Sequence, residues 1–311
     1  MEKIAFFFID DVIWVFRDLA RQRPASLFDT PFMSMLKENH DKYGLTVQLN
    51  IFYRTDFFYG DDEFTLAEMP DIYKSEFEAN CDWLRLAFHA KQEFPDYPYV
   101  NATYNDVKNN YEAVVTEIKR FAGEGSIANI LVPHWLPVSR EGCRALYDCG
   151  VTITGCSYGE TEEYTGDQSV LPYGHAQRLL NNRQPETKLF IRKTRDTRIK
   201  ASICGQNHLS EEDYQSTVFK NTSVLDEATG LRYRCISGGP CLNLYADGKD
   251  VSTMLEKIIA NGAEYIGCAT HEQYFYPDYF AYQPNTAEKF EAMSKTLFEA
   301  GYRFVTADEL K

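Results

Sequence analysis

The chain has little positive charge, no long apolar run and no phosphate-binding loop, and each absence argues against a class of protein. There are 32 lysine and arginine residues against 46 aspartate and glutamate residues, so the formal net charge is −14. This charge argues against electrostatic binding to nucleic acid or to an anionic membrane. No stretch approaches the roughly 18 apolar residues of a membrane span, and no dinucleotide fingerprint is present. The composition favours a soluble protein whose ligand is neutral, cationic or held by a bound metal.

The eight cysteines form no CxxC pair and have no zinc-finger spacing. Several lie inside apolar, strand-like stretches, where cysteine behaves as a small buried hydrophobic residue. The N-terminus lacks a basic region, a signal-type apolar core and a small-residue cleavage site, because an apolar strand begins at residue 3. We therefore expect reduced cysteines and a cytoplasmic location.

Strand-like and helix-like stretches alternate along most of the chain. This alternation predicts βαβ units with parallel pairing and right-handed crossovers, and 311 residues is a normal length for a single α/β barrel domain over 1–311. Strands are predicted at 3–9, 45–53, 83–90, 127–135, 151–157, 263–271 and 303–310. Helices are predicted at 29–43, 71–80, 104–123, 139–150, 251–262 and 286–302.

Residues 157–247 interrupt this alternation. An acidic, turn-rich stretch opens the range with YGETEEYTGDQS, and apolar and charged residues alternate in TKLFIRKTRDTRIKASI. A further stretch, LRYRCISGG, is typical of a strand. We interpret this range as a divergent insertion or lid with a small antiparallel sheet, or as irregular late strands.

Polar side chains gather where the predicted strands end. The carboxyl ends of parallel strands in an α/β barrel share one face, on which such folds build active sites. Two adjacent carboxylates repel each other and are costly to bury, so the aspartate pair marks either a solvated strand end or a site that uses the charge. The residues at these ends are Asp10, Asp11, Tyr53, Arg54, His89, His134, His271 and Glu272.

Aspartate and histidine together suit a divalent transition metal, with zinc the usual candidate and iron, cobalt or manganese the alternatives. A metal with three protein ligands and an open position lowers the pKa of a bound water and polarises a carbonyl, which is hydrolytic chemistry. A second carboxylate nearby then serves as general base, and a further histidine serves as acid.

These features resemble the polysaccharide deacetylase (NodB-homology) superfamily over about residues 3–156 and 263–310. The resemblance lies in FIDD at the end of the first strand, in strands that end in histidine, and in the stretch VPHWLPVSREGCRALYDCGV. It implies a distorted (β/α) barrel of seven or eight parallel strands and a metal-dependent hydrolase that removes an N-acetyl group from a carbohydrate. It further implies that Asp10 is the base, Asp11 and His89 are metal ligands, and His271 is the acid.

The sequence departs from the family's pattern at two positions. Glu93 stands where the family has its second metal-binding histidine, and the arginine expected before the proline–aromatic element is absent, with His134 in that region. The third ligand is therefore Glu93 or His134, and we favour His134 because it lies at a strand end. The aromatic stretch 270–284 supplies rings that stack on a sugar or cover the barrel mouth. Predicted substrate contacts are Tyr53, Arg54, Glu93, Trp135, Glu272 and Tyr274.

Two other functions stay open at this level. One is a glycosidase of related barrel type that uses Asp10 and Glu272 as paired carboxylates and keeps its activity in chelator. The other is a carbohydrate-binding barrel without catalysis. The expected ligand is a small carbohydrate or another N-acetylated compound, and neither nucleic acid nor a membrane is expected as a partner.

Overall fold

The computed structural model describes residues 2–55, 62–94, 98–99, 102–136, 138–155, 160–164, 189–193 and 211–311. Within these ranges the strands are β1 (Ile4–Val12), β2 (Val47–Phe52), β3 (Leu84–Ala90), β4 (Ile130–Leu131), β5 (Ile153–Gly155), β6 (Glu160–Tyr164), β7 (Leu189–Lys193), β8 (Val224–Leu225), β9 (Arg232–Arg234), β10 (Tyr265–His271) and β11 (Arg303–Phe304). The helices are α1 (Trp14–Gln22), α2 (Pro31–Tyr43), α3 (Lys74–Ala79), α4 (Tyr104–Phe121), α5 (Arg140–Asp148), α6 (Glu211–Thr217), α7 (Gly248–Ala260) and α8 (Thr286–Glu299).

The strands near the site form a parallel sheet in the order β10-β1-β2-β3, with β11 also paired to β1. A second sheet has the order β4-β5-β9-β8 and is parallel except between β8 and β9. Isolated parallel bridges join Leu86 of β3 to Ile127, which precedes β4, and Ala269 of β10 to Cys241, which follows β9. The predicted α/β class with a parallel central sheet is confirmed, whereas closure of a continuous barrel ladder stays a prediction.

The first strand is buried at all nine positions, as its continuous apolar run predicts for a strand covered on both faces. On the outer side Phe7 packs edge-to-face on Phe290 of α8, with ring centroids 5.1 Å apart. On the inner side of β2, Gln48 donates a hydrogen bond across to the carbonyl oxygen of Ile130 in the second sheet. Polar side chains thus occupy the space between the sheets, beneath the ends of the strands.

Helix α1 is not predicted by the sequence, since it follows β1 almost directly and has no capping side chain at Ile13. Helix α6 and strand β8, both within 157–247, are not predicted by the sequence either. Outside that range the other helices and strands lie where the sequence predicts them, but several strands are shorter, and β4 has two residues. In the range 157–247, β6 and β7 form a small antiparallel sheet and β9 joins β5 in parallel. The predictions for 165–188 and 194–210 lie outside the described residues. No helix in the described ranges is long and apolar enough to cross a membrane.

Candidate active site

The end of β1 carries a bulge that brings two consecutive aspartates to one site. In a regular strand, consecutive side chains point to opposite faces. The pairing register between β1 and β2 shifts between Ile9 and Val12, and Asp11 has a left-handed backbone with φ of 60°. Both carboxylates consequently approach His89 at the end of β3: Oδ1 of Asp10 lies 3.8 Å from Nδ1, and Oδ1 of Asp11 lies 3.1 Å from Nε2.

Three potential metal-binding atoms form a nearly equilateral triangle at this site. Nε2 of His89 lies 3.1 Å from Oδ1 of Asp11 and 3.1 Å from Nδ1 of His134, and that Nδ1 lies 3.2 Å from the same Asp11 oxygen. All three side chains are buried. Atoms bound at roughly 2.0–2.1 Å around a tetrahedral zinc ion are spaced by about 3.3 Å. The triangle therefore fits three ligands of one small divalent ion.

The protons of the two imidazole rings lie on the outer side of this triangle. Nδ1 of His89 donates to the carbonyl oxygen of Val132, and Nε2 of His134 donates to that of Glu93 at 3.0 Å. Since a carbonyl oxygen can only accept, each neutral ring turns a lone pair toward the other ring and toward Asp11. Three electron-rich atoms in mutual contact require a proton or a cation between them. Metal-binding histidines commonly have such outer hydrogen bonds to backbone carbonyls.

Burial and contacts between the three side chains shift the pKa of each member of the triangle. Burial raises the pKa of Asp11, but its contacts with the rings of His134 and His89, whose protonated forms favour the carboxylate, outweigh burial and hold that pKa well below its ordinary value. Burial lowers the pKa of His134. For His89, burial acts in the same direction, yet the charge of Asp10 and the hydrogen bond to Asp11 raise its pKa overall. Asp11 is thus an ionised carboxylate at neutral pH.

Asp10 lies beside the triangle and is held by an amide. Asn50 donates from Nδ2 to Oδ1 of Asp10 at 2.6 Å, and Gln48 fixes the orientation of that amide by donating to Oδ1 of Asn50 at 2.8 Å. Burial raises the pKa of Asp10, while the nearby histidines and the Asn50 hydrogen bond offset part of the effect. A buried carboxylate with a raised pKa, next to a metal-binding cluster, suits a general base.

His271 ends β10 opposite Asp10, its partner in the parallel register. Its Nδ1 donates to Oδ1 of Asn243 at 3.0 Å, and its Nε2 lies 4.0 Å from Oδ2 of Asp11. Burial lowers the pKa of His271. The hydrogen bond with Cys241 and the charge of Asp11 have a larger effect in the opposite direction, so that this pKa is raised overall to about 10. The ring is thus positively charged at neutral pH and has a proton to donate.

The two residues after His271 contact the end of β1 and the start of α1. The carboxylate of Glu272 accepts hydrogen bonds from the amides of Ile13, Trp14 and Val15 at 2.7–2.8 Å, which caps α1 at the positive end of its dipole. Burial raises the pKa of Glu272 to about 7. Gln273 donates from Nε2 to Oδ2 of Asp11 at 2.8 Å.

The remaining predicted contacts lie at different distances from the triangle. The ring of Trp135 lies 5.9 Å from that of His134, and the ring of Tyr274 lies 6.2 Å from that of His271, both edge-to-face. Trp135 has a left-handed backbone, with φ of 61°. Glu93 is buried and contacts His134 through its backbone oxygen. Arg54 binds Gln92 and Glu63, and Tyr53 packs at the edge of the core.

Sequence reasoning missed three amides that hold the site together: Asn50, Asn243 and Gln273. A signal for Asn50 exists, since Gln48 and Asn50 alternate with apolar residues in a strand that is otherwise fully apolar and buried. This period of two indicates a polar interior face. No comparable pattern marks Asn243 or Gln273, because their partners lie on other strands.

No model of a known protein family matches the chain, and no curated protein matches its sequence. Among solved structures it is similar to the 4-alpha-glucanotransferase from Thermococcus litoralis, with a TM-score of 0.55, 12% identity and coverage of 99% of this chain and 40% of that chain. It is also similar to the T48 deacetylase with substrate (TM-score 0.46, 9% identity, 99% and 89% coverage). A third similar structure is the family 4 carbohydrate esterase from Streptomyces lividans in complex with acetate (TM-score 0.42, 10% identity, 98% and 91% coverage).

The first of these likenesses is one of fold: the chain has the α/β fold of about two fifths of the glucanotransferase chain.

Proposed function

We propose that the chain is a metal-dependent hydrolase that cleaves an amide, and that its substrate is an N-acetylated carbohydrate. The observation that carries the proposal is the triangle of Asp11, His89 and His134. Its three inner atoms lie 3.1–3.2 Å apart, and backbone carbonyls hold the imidazole protons on the outside. This set of one carboxylate oxygen and two imidazole nitrogens suits zinc, with iron, cobalt and manganese as alternatives.

The triangle would hold the ion from one side and leave coordination positions for water and substrate. When bound, a divalent ion supplies Lewis acidity, which polarises the amide carbonyl and makes water a better nucleophile. Asp11 and the two histidines orient this chemistry, since their outer hydrogen bonds fix which atom of each ring faces the ion.

Two further side chains move the protons. Asp10 takes a proton from the attacking water, its other oxygen being held by Asn50. His271 gives a proton to the leaving nitrogen from Nε2, while Nδ1 stays bonded to Asn243. Water adds to the acyl carbon, the carbon–nitrogen bond breaks, and acetate and a free amine leave. Both groups lie next to the triangle, within 4.0 Å of one of its members.

The case for a carbohydrate rests on the sequence resemblance and on the aromatic rings beside the two histidines at the rim. Trp135 and Tyr274 present the kind of surface on which the apolar face of a sugar packs. The net charge of −14 agrees with a neutral or cationic ligand and with a protein that binds neither nucleic acid nor anionic membranes. We further propose a cytoplasmic location. We do not extend the proposal to a glycosidase, because both oxygens of Glu272 accept backbone hydrogen bonds.

The test is acetate release from N-acetylglucosamine oligomers by protein that has been stripped with chelator and reloaded with zinc, manganese or cobalt. We expect release that requires the metal and is lost in Asp10→Asn, with the metal content of that variant unchanged. Wild-type protein that binds no divalent ion would contradict the proposal. Release of reducing sugar that continues in chelator would favour the glycosidase instead.

A further inference from the structure

Three consecutive side chains at the end of β10 hold the end of β1. His271 approaches Oδ2 of Asp11, Glu272 binds the amides of residues 13–15, and Gln273 donates to Oδ2 of Asp11 at 2.8 Å. Asp11 itself has the left-handed backbone that residues other than glycine rarely adopt. Such a conformation persists where the surrounding structure determines it, and here the segment 271–273 does so.

The two oxygens of Asp11 have different partners. Oδ1 faces the nitrogens of His89 and His134, whereas Oδ2 accepts the hydrogen bond from Nε2 of Gln273. Because an ionised carboxylate only accepts, Gln273 must turn its NH₂ group, and not its oxygen, toward Asp11. Asp11 consequently presents a single oxygen to the triangle.

Packing alone does not explain a glutamine at this position. Gln273 is 1% exposed, and its Oε1 has no hydrogen-bond partner among the described residues. A buried acceptor without a partner costs free energy that an apolar side chain of the same shape would avoid. The hydrogen bond from Nε2 to Asp11 is the contact that distinguishes glutamine from methionine here.

We propose that Gln273 is a positioning residue of the metal site, which holds Asp11 as a one-oxygen ligand facing His89 and His134. The inference rests on the metal binding in the proposed function and is independent of the substrate. Loss of a hydrogen-bonding partner behind a metal ligand typically lowers metal affinity about 10- to 100-fold.

The experiment measures zinc affinity of the full chain by competition with a chromophoric chelator, after circular dichroism has confirmed folding. Gln273→Met keeps the length of the side chain and removes the N–H donor. Gln273→Asn keeps the amide, but the shorter side chain cannot reach Oδ2 of Asp11. Ser294→Ala is the matched control, since Ser294 on α8 is also buried and its Oγ has no partner within the described part of the chain. We expect both Gln273 variants to bind zinc about 10- to 100-fold more weakly than wild type, with the control unchanged.

A merely structural role for Gln273 would lower the melting temperature of the metal-free variants and leave the zinc affinity of the folded protein unchanged. That result, in either variant that folds, overturns the inference. Wild type that binds zinc but releases no acetate overturns the proposed function and leaves the inference intact. Wild type that binds no zinc overturns both.

Discussion

Nδ1 of His134 lies 3.1 Å from Nε2 of His89, while the other nitrogen of each ring donates to a backbone carbonyl. When both rings are neutral, their two inner lone pairs and the carboxylate of Asp11, which contacts both, repel one another without a positive charge. This relationship is the basis of the proposed metal site and of the first two predictions.

Zinc should raise the stability of the metal-free protein. A ligand that binds only the folded state stabilises it by about 4 kcal/mol at 1,000 times its dissociation constant. Differential scanning calorimetry of chelator-treated protein, with and without zinc, measures this shift. A His89→Ala variant, which removes one corner of the triangle, should show no zinc-dependent shift; an equal shift in that variant would place the ion elsewhere.

The third ligand should be His134 and not the side chain of Glu93. Glu93 reaches the site through its backbone oxygen, which a side-chain substitution leaves in place. We therefore expect Glu93→Gln to keep zinc affinity and His134→Ala to lose at least about 100-fold. Isothermal titration calorimetry of the two variants decides the matter, and the reverse order of affinities would contradict the geometry.

The hydrogen bond from Asn50 should lower the pKa of Asp10. Its N–H donor favours the charged carboxylate, so Asn50→Leu should raise the pKa of Asp10 and move the acidic limb of the pH–rate profile to higher pH. Removing a single hydrogen-bond partner from a general base should also lower kcat, by about 10- to 100-fold, the factor that corresponds to one hydrogen bond to a charged group. The pH profiles of kcat and of kcat/KM between pH 5 and 9 measure both effects. An acidic limb that stays in place would show that Asn50 does not act on the base.

Glu272 should make stability depend on pH. Burial raises its pKa to about 7 in the folded protein, above the ordinary value of 4.5, so its contribution is fully present below pH 4.5 and is lost as the pH rises through 7. The free energy of unfolding of wild type, relative to Glu272→Gln, should therefore fall by about 3 kcal/mol between pH 4.5 and pH 8. Urea unfolding of both metal-free proteins at several pH values measures this difference. A difference that does not change with pH would rule out the raised pKa.

The sequence predicts much of the site because the ends of buried strands can be recognised where an apolar run stops. Asp10, Asp11, His89, His134 and His271 each follow an apolar run, and a parallel sheet brings such ends to one edge. The roles assigned to them remain predictions that the experiments above test.

Features that depend on contacts between distant residues could not be predicted from the sequence. Helix α1 has no local capping signal, because its amides bind Glu272, more than 250 positions along the chain. For the same reason Glu272 resembles a substrate-binding carboxylate in the sequence, while in the structure it caps a helix. Gln273 carries no periodic signal, since its role depends on one oxygen of Asp11.

The most direct test of the metal site is anomalous diffraction at the zinc edge from crystals of zinc-loaded protein. The proposed function predicts one strong peak at about 2.0–2.3 Å from Oδ1 of Asp11, Nε2 of His89 and Nδ1 of His134. A peak bound by other side chains, or no peak at this triangle, would contradict it.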